Sequence, residues 1–203
     1  MMSAAPTIPV TTRTETGKNA MYRLRSTGRI PGVVYGGGAD NVIFSLDIRD
    51  LMTGLHRESF YATVYDLAPE KGKPIRALPK AVQFHPVTDQ PLHVDFMRVT
   101  DKTKIKVSVP LHLINTEKCR GLKAGGVLNV VRHTVEILCY ASKIPSHFEI
   151  DLLNAKIGDA IKSTALTMPE GVTLAIADRD FTLATIAAPK GGVVETEETV
   201  SED

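Results

Sequence analysis

The chain has 203 residues, of which 43% are hydrophobic and 23% are charged, and its formal net charge is +1. That length allows one large domain or two small ones, and the composition is typical of a soluble globular protein. No run approaches the roughly 18 apolar residues of a membrane helix. Residues 1–12 lack the cationic start and apolar core of a secretory signal. The two cysteines, Cys119 and Cys139, indicate a reduced cytosol as the simplest compartment.

Positive charge is concentrated near the start of the chain. Residues 1–100 contain 12 Lys or Arg and 9 Asp or Glu, whereas residues 101–203 contain 12 and 14. Residues 13–38 have a local net charge of +4, from five cations and Glu15. The five cations are Arg13, Lys18, Arg23, Arg25 and Arg29. Such a positive face suits a phosphate backbone, although a solvated charged face before an ordinary hairpin explains the charges equally well.

Within this basic stretch, residues 18–25 predict about two helical turns, closed by Gly28 as a left-handed C-terminal cap. The Ile30-Pro31 pair favours extended backbone. Residues 33–35 predict a short buried strand that ends in the triple-glycine turn at residues 36–38.

The remainder of the first half alternates between short strands and turns. Residues 41–46 predict the returning strand of the hairpin, and Asp47 predicts the N-cap of a helix over residues 47–56. Further strands are predicted at residues 60–67, 75–84 and 92–99, with a turn over residues 69–74. We expect residues 1–100 to form a small antiparallel β-barrel with one or two short helices, because closure removes exposed sheet edges.

Residues 101–188 predict a second all-β domain, a small sandwich or open sheet. Its first strand alternates clearly, and Pro110 within it predicts an edge or a bulge. The apolar face of that strand carries Val107, Val109, Leu111 and Leu113. A loop is predicted over residues 117–126, followed by strands at residues 127–131, 134–139, 148–152, 172–176 and 181–187. Cys139 lies in an apolar run and is expected to pack as a small hydrophobe. Residues 189–203 predict a disordered acidic tail.

The sequence gives no positive support for catalysis. The triple glycine lacks the Lys-Ser/Thr pair of a P-loop, so a hairpin turn is the better interpretation. No GxSxG nucleophile elbow is present. His85, His93 and Asp95 could be drawn together as ligands of a metal-dependent hydrolase, but their spacing matches no standard zinc signature. We therefore expect no enzyme, no metal site and no cofactor.

The same polar residues are chemically suited to RNA. His93 and Asp95 are two apart on a predicted strand, so both leave one face while Leu92, Val94 and Phe96 leave the other. Imidazole can donate, accept or stack, and a carboxylate accepts from base amino groups. Gln83 and His85 have the same spacing, and Tyr35 offers a ring and a hydroxyl. A hydrogen-bonded surface residue is the alternative for each.

Three separated blocks resemble one known family. The first is the run Arg13…Gly17-Lys18…Arg23-Leu24-Arg25…Ile30-Pro31…Val33-Val34-Tyr35-Gly36, and the others are residues 82–86 and 92–96. Together they are similar to a bacterial large-subunit ribosomal protein family whose members bind 5S ribosomal RNA. The long two-domain members of that family are called the general stress protein Ctc form. The resemblance covers the first hundred residues well and residues 101–188 more loosely.

The resemblance implies a non-enzymatic, cytoplasmic, ribosome-associated protein that stabilises 5S ribosomal RNA in the large subunit. The implied target is an irregular internal-loop helix, approached across its wide minor groove, where A-form RNA displays hydroxyls and base edges. The implied RNA-binding set is Arg13, Lys18, Arg23, Arg25, Tyr35, Gln83, His85, His93 and Asp95. Tyr22 and Asn19 depart from residues that are common in relatives at those positions.

The second domain is expected to contact other ribosomal proteins or ribosomal RNA, with Lys118, Arg120 and Lys123 as candidates. Two alternatives remain beside this interpretation. One is a protein–protein adaptor without RNA specificity, and the other is the metal-dependent hydrolase built on His85, His93 and Asp95.

Overall fold

The computed structural model describes residues 5–70, 72–176 and 180–188. The fold is mainly β, as predicted, with a closed barrel and further strands in the second half of the chain. The predicted acidic tail, residues 189–203, lies outside the described residues. No helix among the described residues is long and apolar enough to cross a membrane.

Six strands close the barrel in the order β1-β3-β2-β6-β5-β4. The strands are β1 (Thr7–Thr12), β2 (Arg29–Tyr35), β3 (Val42–Asp47), β4 (Tyr65–Pro69), β5 (Ile75–Phe84) and β6 (Pro91–Arg98). Strand β1 was not predicted, and the expected all-antiparallel arrangement is wrong. Strand β1 runs parallel to β4, and β2 runs parallel to β6, because closure pairs strands that are not consecutive in the chain.

The barrel interior is filled by apolar side chains from every strand, including Phe44, Leu67 and Phe96. The rings of Phe44 and Phe96 pack with their centroids 6.0 Å apart. Gly32 of β2 permits this packing, because a Cβ there would lie 2.5 Å from the Phe44 ring and 2.9 Å from the carbonyl oxygen of Val94. Only a residue without a side chain fits between these two neighbours.

Two helices flank the barrel strands: α1 (Lys18–Ser26) and α2 (Ile48–Leu55). Both were predicted. The predicted N-cap of α2 is confirmed, since the Asp47 carboxylate accepts the backbone N–H of Arg49 at 2.8 Å. The strand expected over residues 60–67 is wrong at its start. Phe60–Ala62 forms a single 3-10 turn that buries both end residues, and β4 begins only at Tyr65.

The described chain divides into two compact units that are interleaved in sequence. Of the described residues, the first unit comprises 5–70, 72–110, 136–147 and 168–176, and the second comprises 111–135, 148–167 and 180–188. The boundary expected near residue 101 stays a prediction. Strand β7 (Lys104–Ile114) passes from the first unit into the second after Pro110.

The strands after β7 confirm the all-β character of the second half. They are β8 (Val127–Val130), β9 (Thr134–Tyr140), β10 (Phe148–Asp151), β11 (Ala160–Lys162), β12 (Thr173–Leu174) and β13 (Thr182–Ala187). In the first unit, β9 pairs with β12. In the second unit, β10 runs parallel to the end of β7, and β11, β13 and β8 form a three-stranded antiparallel sheet in that order.

Four details of the second half differ from expectation or refine it. The loop predicted over residues 117–126 contains a 3-10 turn and the short helix α3 (Arg120–Lys123), whose start is fixed by the buried Cys119. Strand β11 was not predicted. Pro110 is buried, and the β10 pairing begins at the next residue. Cys139 packs in the core as predicted, and burial raises the pKa of its thiol.

Candidate nucleic-acid interface

The side chains of strand β6 alternate between the barrel interior and the outer surface. Val94 and Phe96 point into the barrel and are fully buried, whereas His93 and Asp95 point outward. The neighbouring strands align with them, because Gln83 of β5 lies opposite His93 and Val33 of β2 lies beside Asp95. Tyr35, two residues after Val33, leaves the same side of β2. We call the outward set Tyr35, Gln83, His93 and Asp95 the strand face.

His93 and Asp95 form the centre of the strand face. Nδ1 of His93 lies 2.7 Å from Oδ1 of Asp95, and the two side chains are 26% and 27% exposed. Oδ1 is buried, and the His93 ring is its polar neighbour among the described residues. The contact offsets part of the desolvation of the carboxylate and holds the two side chains together on the strand face.

Tyr35 borders this carboxylate. Burial, and to a lesser degree the charge of Asp95, raise the pKa of the Tyr35 hydroxyl. The phenol therefore stays protonated at neutral pH and remains a hydrogen-bond donor as well as an acceptor. The strand face thus offers donors and acceptors on a rigid sheet.

His85 is placed differently from the prediction that it shares a surface with Gln83. Strand β5 ends at Phe84, and His85 opens the turn to β6. Its Nδ1 accepts the backbone N–H groups of Val87 at 3.3 Å and Thr88 at 3.2 Å, and the backbone N–H of His85 donates to the carbonyl oxygen of Gln90 at 2.8 Å. These bonds fix the tautomer with the ring proton on Nε2. The side chain caps the turn instead of continuing the strand.

Helix α1 carries the basic residues on its outer side. Lys18, Arg23 and Arg25 are exposed, whereas Ala20, Met21 and Leu24 are partly buried, and the helix packs against β2. The predicted C-terminal cap is confirmed, since Gly28 has a φ of 76° and its N–H donates to Arg25 O at 3.0 Å. We call Lys18, Arg23 and Arg25 the basic helix face.

The basic helix face adjoins the strand face through Arg25. Its Nε donates to the carbonyl oxygen of Leu92 at 3.1 Å, one residue before His93. The two terminal nitrogens of the guanidinium make no hydrogen bond to any residue that the structure describes. Sequence alone did not indicate this contact, because the two residues are 67 apart in the chain.

Arg13 makes more hydrogen bonds to the protein backbone than the other cations of the predicted RNA-binding set. Its Nε donates to Phe44 O at 3.0 Å and its Nη1 donates to Glu15 O at 2.5 Å, which ties the segment before α1 to strand β3. Burial lowers the pKa of Arg13. The side chain is only partly buried, so part of the guanidinium still reaches the surface.

Two further arginines hold the barrel together and were not assigned this role from the sequence. Arg29 donates to Thr11 Oγ1 at 2.7 Å and to Ser45 Oγ at 3.2 Å, and so links β1, β2 and β3. Arg98 donates to Gly36 O at 3.0 Å and to Asp40 O at 3.3 Å across the triple-glycine turn. Their partners come from distant strands, which explains why sequence patterns missed them.

The residues proposed for a metal-dependent hydrolase do not converge. Across residues 5–70, 72–176 and 180–188, no group of three or more His, Cys, Asp or Glu side chains is placed to hold a metal ion. His93 and Asp95 lie together, but the ring of His85 is turned into the hairpin turn. The geometry therefore offers nothing to support the hydrolase alternative.

Comparison with known proteins identifies the family of both halves of the chain. The model of the Ribosomal L25p family matches residues 8–96, and the model of the ribosomal protein TL5 C-terminal domain matches residues 104–190. A relative from Rhodospirillum rubrum, named large ribosomal subunit protein bL25, is 44% identical over 94% of this chain and 90% of its own length. The chain belongs to the ribosomal L25p family.

Other L25p relatives align over nearly the whole chain. The large ribosomal subunit protein bL25 of Brucella anthropi is 43% identical over 99% of this chain and 95% of its own length. The protein of the same name from Novosphingobium aromaticivorans is 43% identical over 100% of this chain and 98% of its own length. The predicted family is thereby confirmed in its two-domain form, as is the prediction of a structural, non-enzymatic protein.

Proposed function

We propose that this L25p chain is a constituent of the large ribosomal subunit and binds 5S ribosomal RNA through its basic helix face and strand face. The observation that carries the proposal is the hydrogen bond from Arg25 Nε to Leu92 O, at 3.1 Å. It brings Arg25, one of the three exposed cations of helix α1, next to a rigid polar strand surface. One contiguous surface can then neutralise phosphates and reach base edges.

The basic helix face would supply most of the binding free energy. Lys18, Arg23 and Arg25 are exposed and lie on one short helix. Cations that neutralise phosphates release counterions from the RNA, so affinity falls as salt concentration rises. The terminal nitrogens of Arg25 are well suited to a phosphate, because its Nε is already held by Leu92 and the guanidinium fork is pre-oriented.

The strand face would set register and specificity. Oδ1 of Asp95 is buried against the His93 ring, but the side chain is 27% exposed, and its exposed part can accept from a base amino group or a ribose 2′-hydroxyl. His93 lies against the same oxygen and can donate or accept with its other ring nitrogen. Gln83 is exposed beside them and can both donate and accept. A-form RNA offers such partners in its wide minor groove.

The second unit would contribute separate contacts to the ribosome. Lys118, Arg120 and Lys123 are all exposed on or next to helix α3. We place ribosomal RNA or another ribosomal protein against them, in a cytoplasmic ribosome. The two units would then divide the work between 5S ribosomal RNA and the rest of the subunit.

The test is binding of the full chain to 5S ribosomal RNA over a salt series, with a random RNA of equal length as competitor. We expect saturable binding that resists the competitor and weakens as salt rises. If the two RNAs compete equally, the basic helix face is only a solvated surface, and the protein–protein adaptor becomes the better interpretation.

A further inference from the structure

Tyr22 is a large aromatic side chain that the fold leaves open to solvent. It lies in the middle of helix α1 and is 75% exposed. Most tyrosines bury their ring and keep only the hydroxyl wet. A ring this exposed contributes little to the core.

The helical geometry places Tyr22 at the centre of the outer side of α1. Residues three and four positions away are its surface neighbours, and the neighbours here are Lys18, Asn19, Arg25 and Ser26. The inner side is occupied by Ala20, Met21 and Leu24, which are partly buried. The ring therefore has cations beside it on the face that the proposed function assigns to RNA.

The Tyr22 ring also lacks aromatic and cationic contacts with other side chains in the described part of the chain. Among the described residues, no side chain makes a ring contact with Tyr22, no cation lies over it, and its hydroxyl makes no hydrogen bond. By contrast, Tyr140 lies under Lys104, with Nζ 5.6 Å from the ring centroid. Tyr22 thus presents an unobstructed planar surface.

We propose that Tyr22 is a stacking platform for an unpaired nucleobase, with Lys18 and Arg25 on the flanking phosphates. The inference rests on the proposed function, because it names the part of the RNA that the basic helix face receives. A neutral ring adds nothing to phosphate neutralisation, but every base has a flat face that stacks on an aromatic side chain. The cations around the ring favour a polyanion over an apolar protein partner.

The first test compares Tyr22→Ala and Tyr22→Phe in the full chain for binding to 5S ribosomal RNA. Loss of one base–aromatic stack should weaken binding about 5- to 150-fold in Tyr22→Ala, while Tyr22→Phe should stay within about twofold because it keeps the ring. The salt slope should not change in either variant, since no charge is removed. Alanine is the best helix former, so Tyr22→Ala keeps the helix intact.

The second test uses fluorescence. The chain contains no tryptophan, so Tyr22→Trp introduces a single reporter, and Tyr140→Trp serves as the matched control. We expect 5S ribosomal RNA, and single-stranded oligo(A), to quench the tryptophan at position 22 and leave the one at position 140 unchanged. Unaltered fluorescence at position 22 together with unaltered affinity of Tyr22→Ala overturns the proposal. Equal losses in Tyr22→Phe and Tyr22→Ala also overturn it, because the hydroxyl would then be the contact.

The two proposals fail in different ways. If the wild-type chain does not prefer 5S ribosomal RNA but oligo(A) still quenches the tryptophan at position 22, the stacking role stands and the specific RNA target is wrong. If the wild type prefers 5S ribosomal RNA and neither the affinity of Tyr22→Ala nor the fluorescence changes, the RNA target stands and Tyr22 has no part in it.

Discussion

Two outward carboxylates, Asp95 in the first unit and Asp151 in the second, are used in opposite ways. Oδ1 of Asp95 lies 2.7 Å from Nδ1 of His93, and both side chains stay partly exposed. Asp151 is exposed, and its Oδ1 accepts hydrogen bonds from Asn115 Nδ2 at 2.8 Å and from Leu153 N at 2.9 Å. The bonds of Asp151 therefore stabilise a local turn. The contact of Asp95 is with another outward residue of the strand face, which suits a pair that meets a ligand.

The arginines of the two units differ in the same way. In the first unit, Arg25 is oriented by Leu92 O while its terminal nitrogens have no partner among the described residues. In the second unit, the guanidinium of Arg132 lies over the ring of Phe181, with its Cζ 4.6 Å from the ring centroid. Position on the surface is therefore not enough to identify a binding residue. A binding residue is recognised by which of its polar groups have no partner within the protein.

The largest expected effect tests whether the two units are independent. Phe96 and Phe148 are buried in the first and second unit. Phe96→Ala and Phe148→Ala should each lower the free energy of unfolding by about 3–5 kcal/mol, through lost contacts and a cavity. Urea denaturation measures this loss. We expect Phe96→Ala to abolish binding of 5S ribosomal RNA and Phe148→Ala to preserve it, and loss of binding in both variants would show that the units act as one.

A smaller effect is expected when Asp95 or Asp151 is replaced by alanine. Asp95→Ala should weaken binding of 5S ribosomal RNA by about 1–3 kcal/mol, with little effect on a random RNA, as expected for a base-edge contact. Its free energy of unfolding should fall by no more than about 1 kcal/mol, because the substitution breaks a partly exposed pair with His93. Asp151→Ala is the matched control and should leave both affinities unchanged. Equal losses on the two RNAs would remove Asp95 from specific recognition.

A smaller effect is expected from single cations. Arg25→Ala should weaken binding to every RNA and reduce the salt slope by about one unit, because one phosphate contact is lost. Arg120→Ala, an exposed arginine of the second unit, should leave the slope for 5S ribosomal RNA unchanged. Binding isotherms between low and moderate salt measure both. A normal slope in Arg25→Ala would mean that this side chain only holds helix α1 to β6.

The smallest effect concerns the pH dependence of the second unit. The hydrogen bonds from Asn115 and Leu153 lower the pKa of Asp151. The resulting stabilisation is present above the unfolded pKa, about 3.9, and is lost as pH falls through the lower folded value. In Asn115→Ala, an NMR titration of the Asp151 carboxyl should give a pKa closer to its ordinary value. An unchanged titration would assign the shift to Leu153 N alone.

Local features of the chain were predictable from the sequence. The bounds of β5, the cap at Asp47 and the left-handed Gly28 all depend on residues within a few positions of one another. The alternation of β6 likewise separated the outward His93 and Asp95 from the buried Val94 and Phe96. Such features follow from helix and strand periodicity and from turn chemistry, which act over short stretches of chain.

Pairings between distant segments could not be obtained in this way. The sequence did not indicate β1 as a barrel strand or the parallel pairs that close the barrel. It grouped His85 with Gln83 by their spacing and did not indicate that the His85 ring accepts the N–H groups of the following turn. It counted Arg29 and Arg25 among the same five cations, without indicating that Arg29 links three strands while Arg25 is bound to Leu92 O through its Nε.

By itself, the sequence determined the family, the mainly β architecture and the location of the positive charge. Only the tertiary structure decided which polar groups form hydrogen bonds within the protein and which can still bind a ligand. The physical reason is that a hydrogen bond or a buried oxygen depends on neighbours brought together by barrel closure, such as Leu92 beside Arg25. Those neighbours are far apart in the chain, and no local pattern records them.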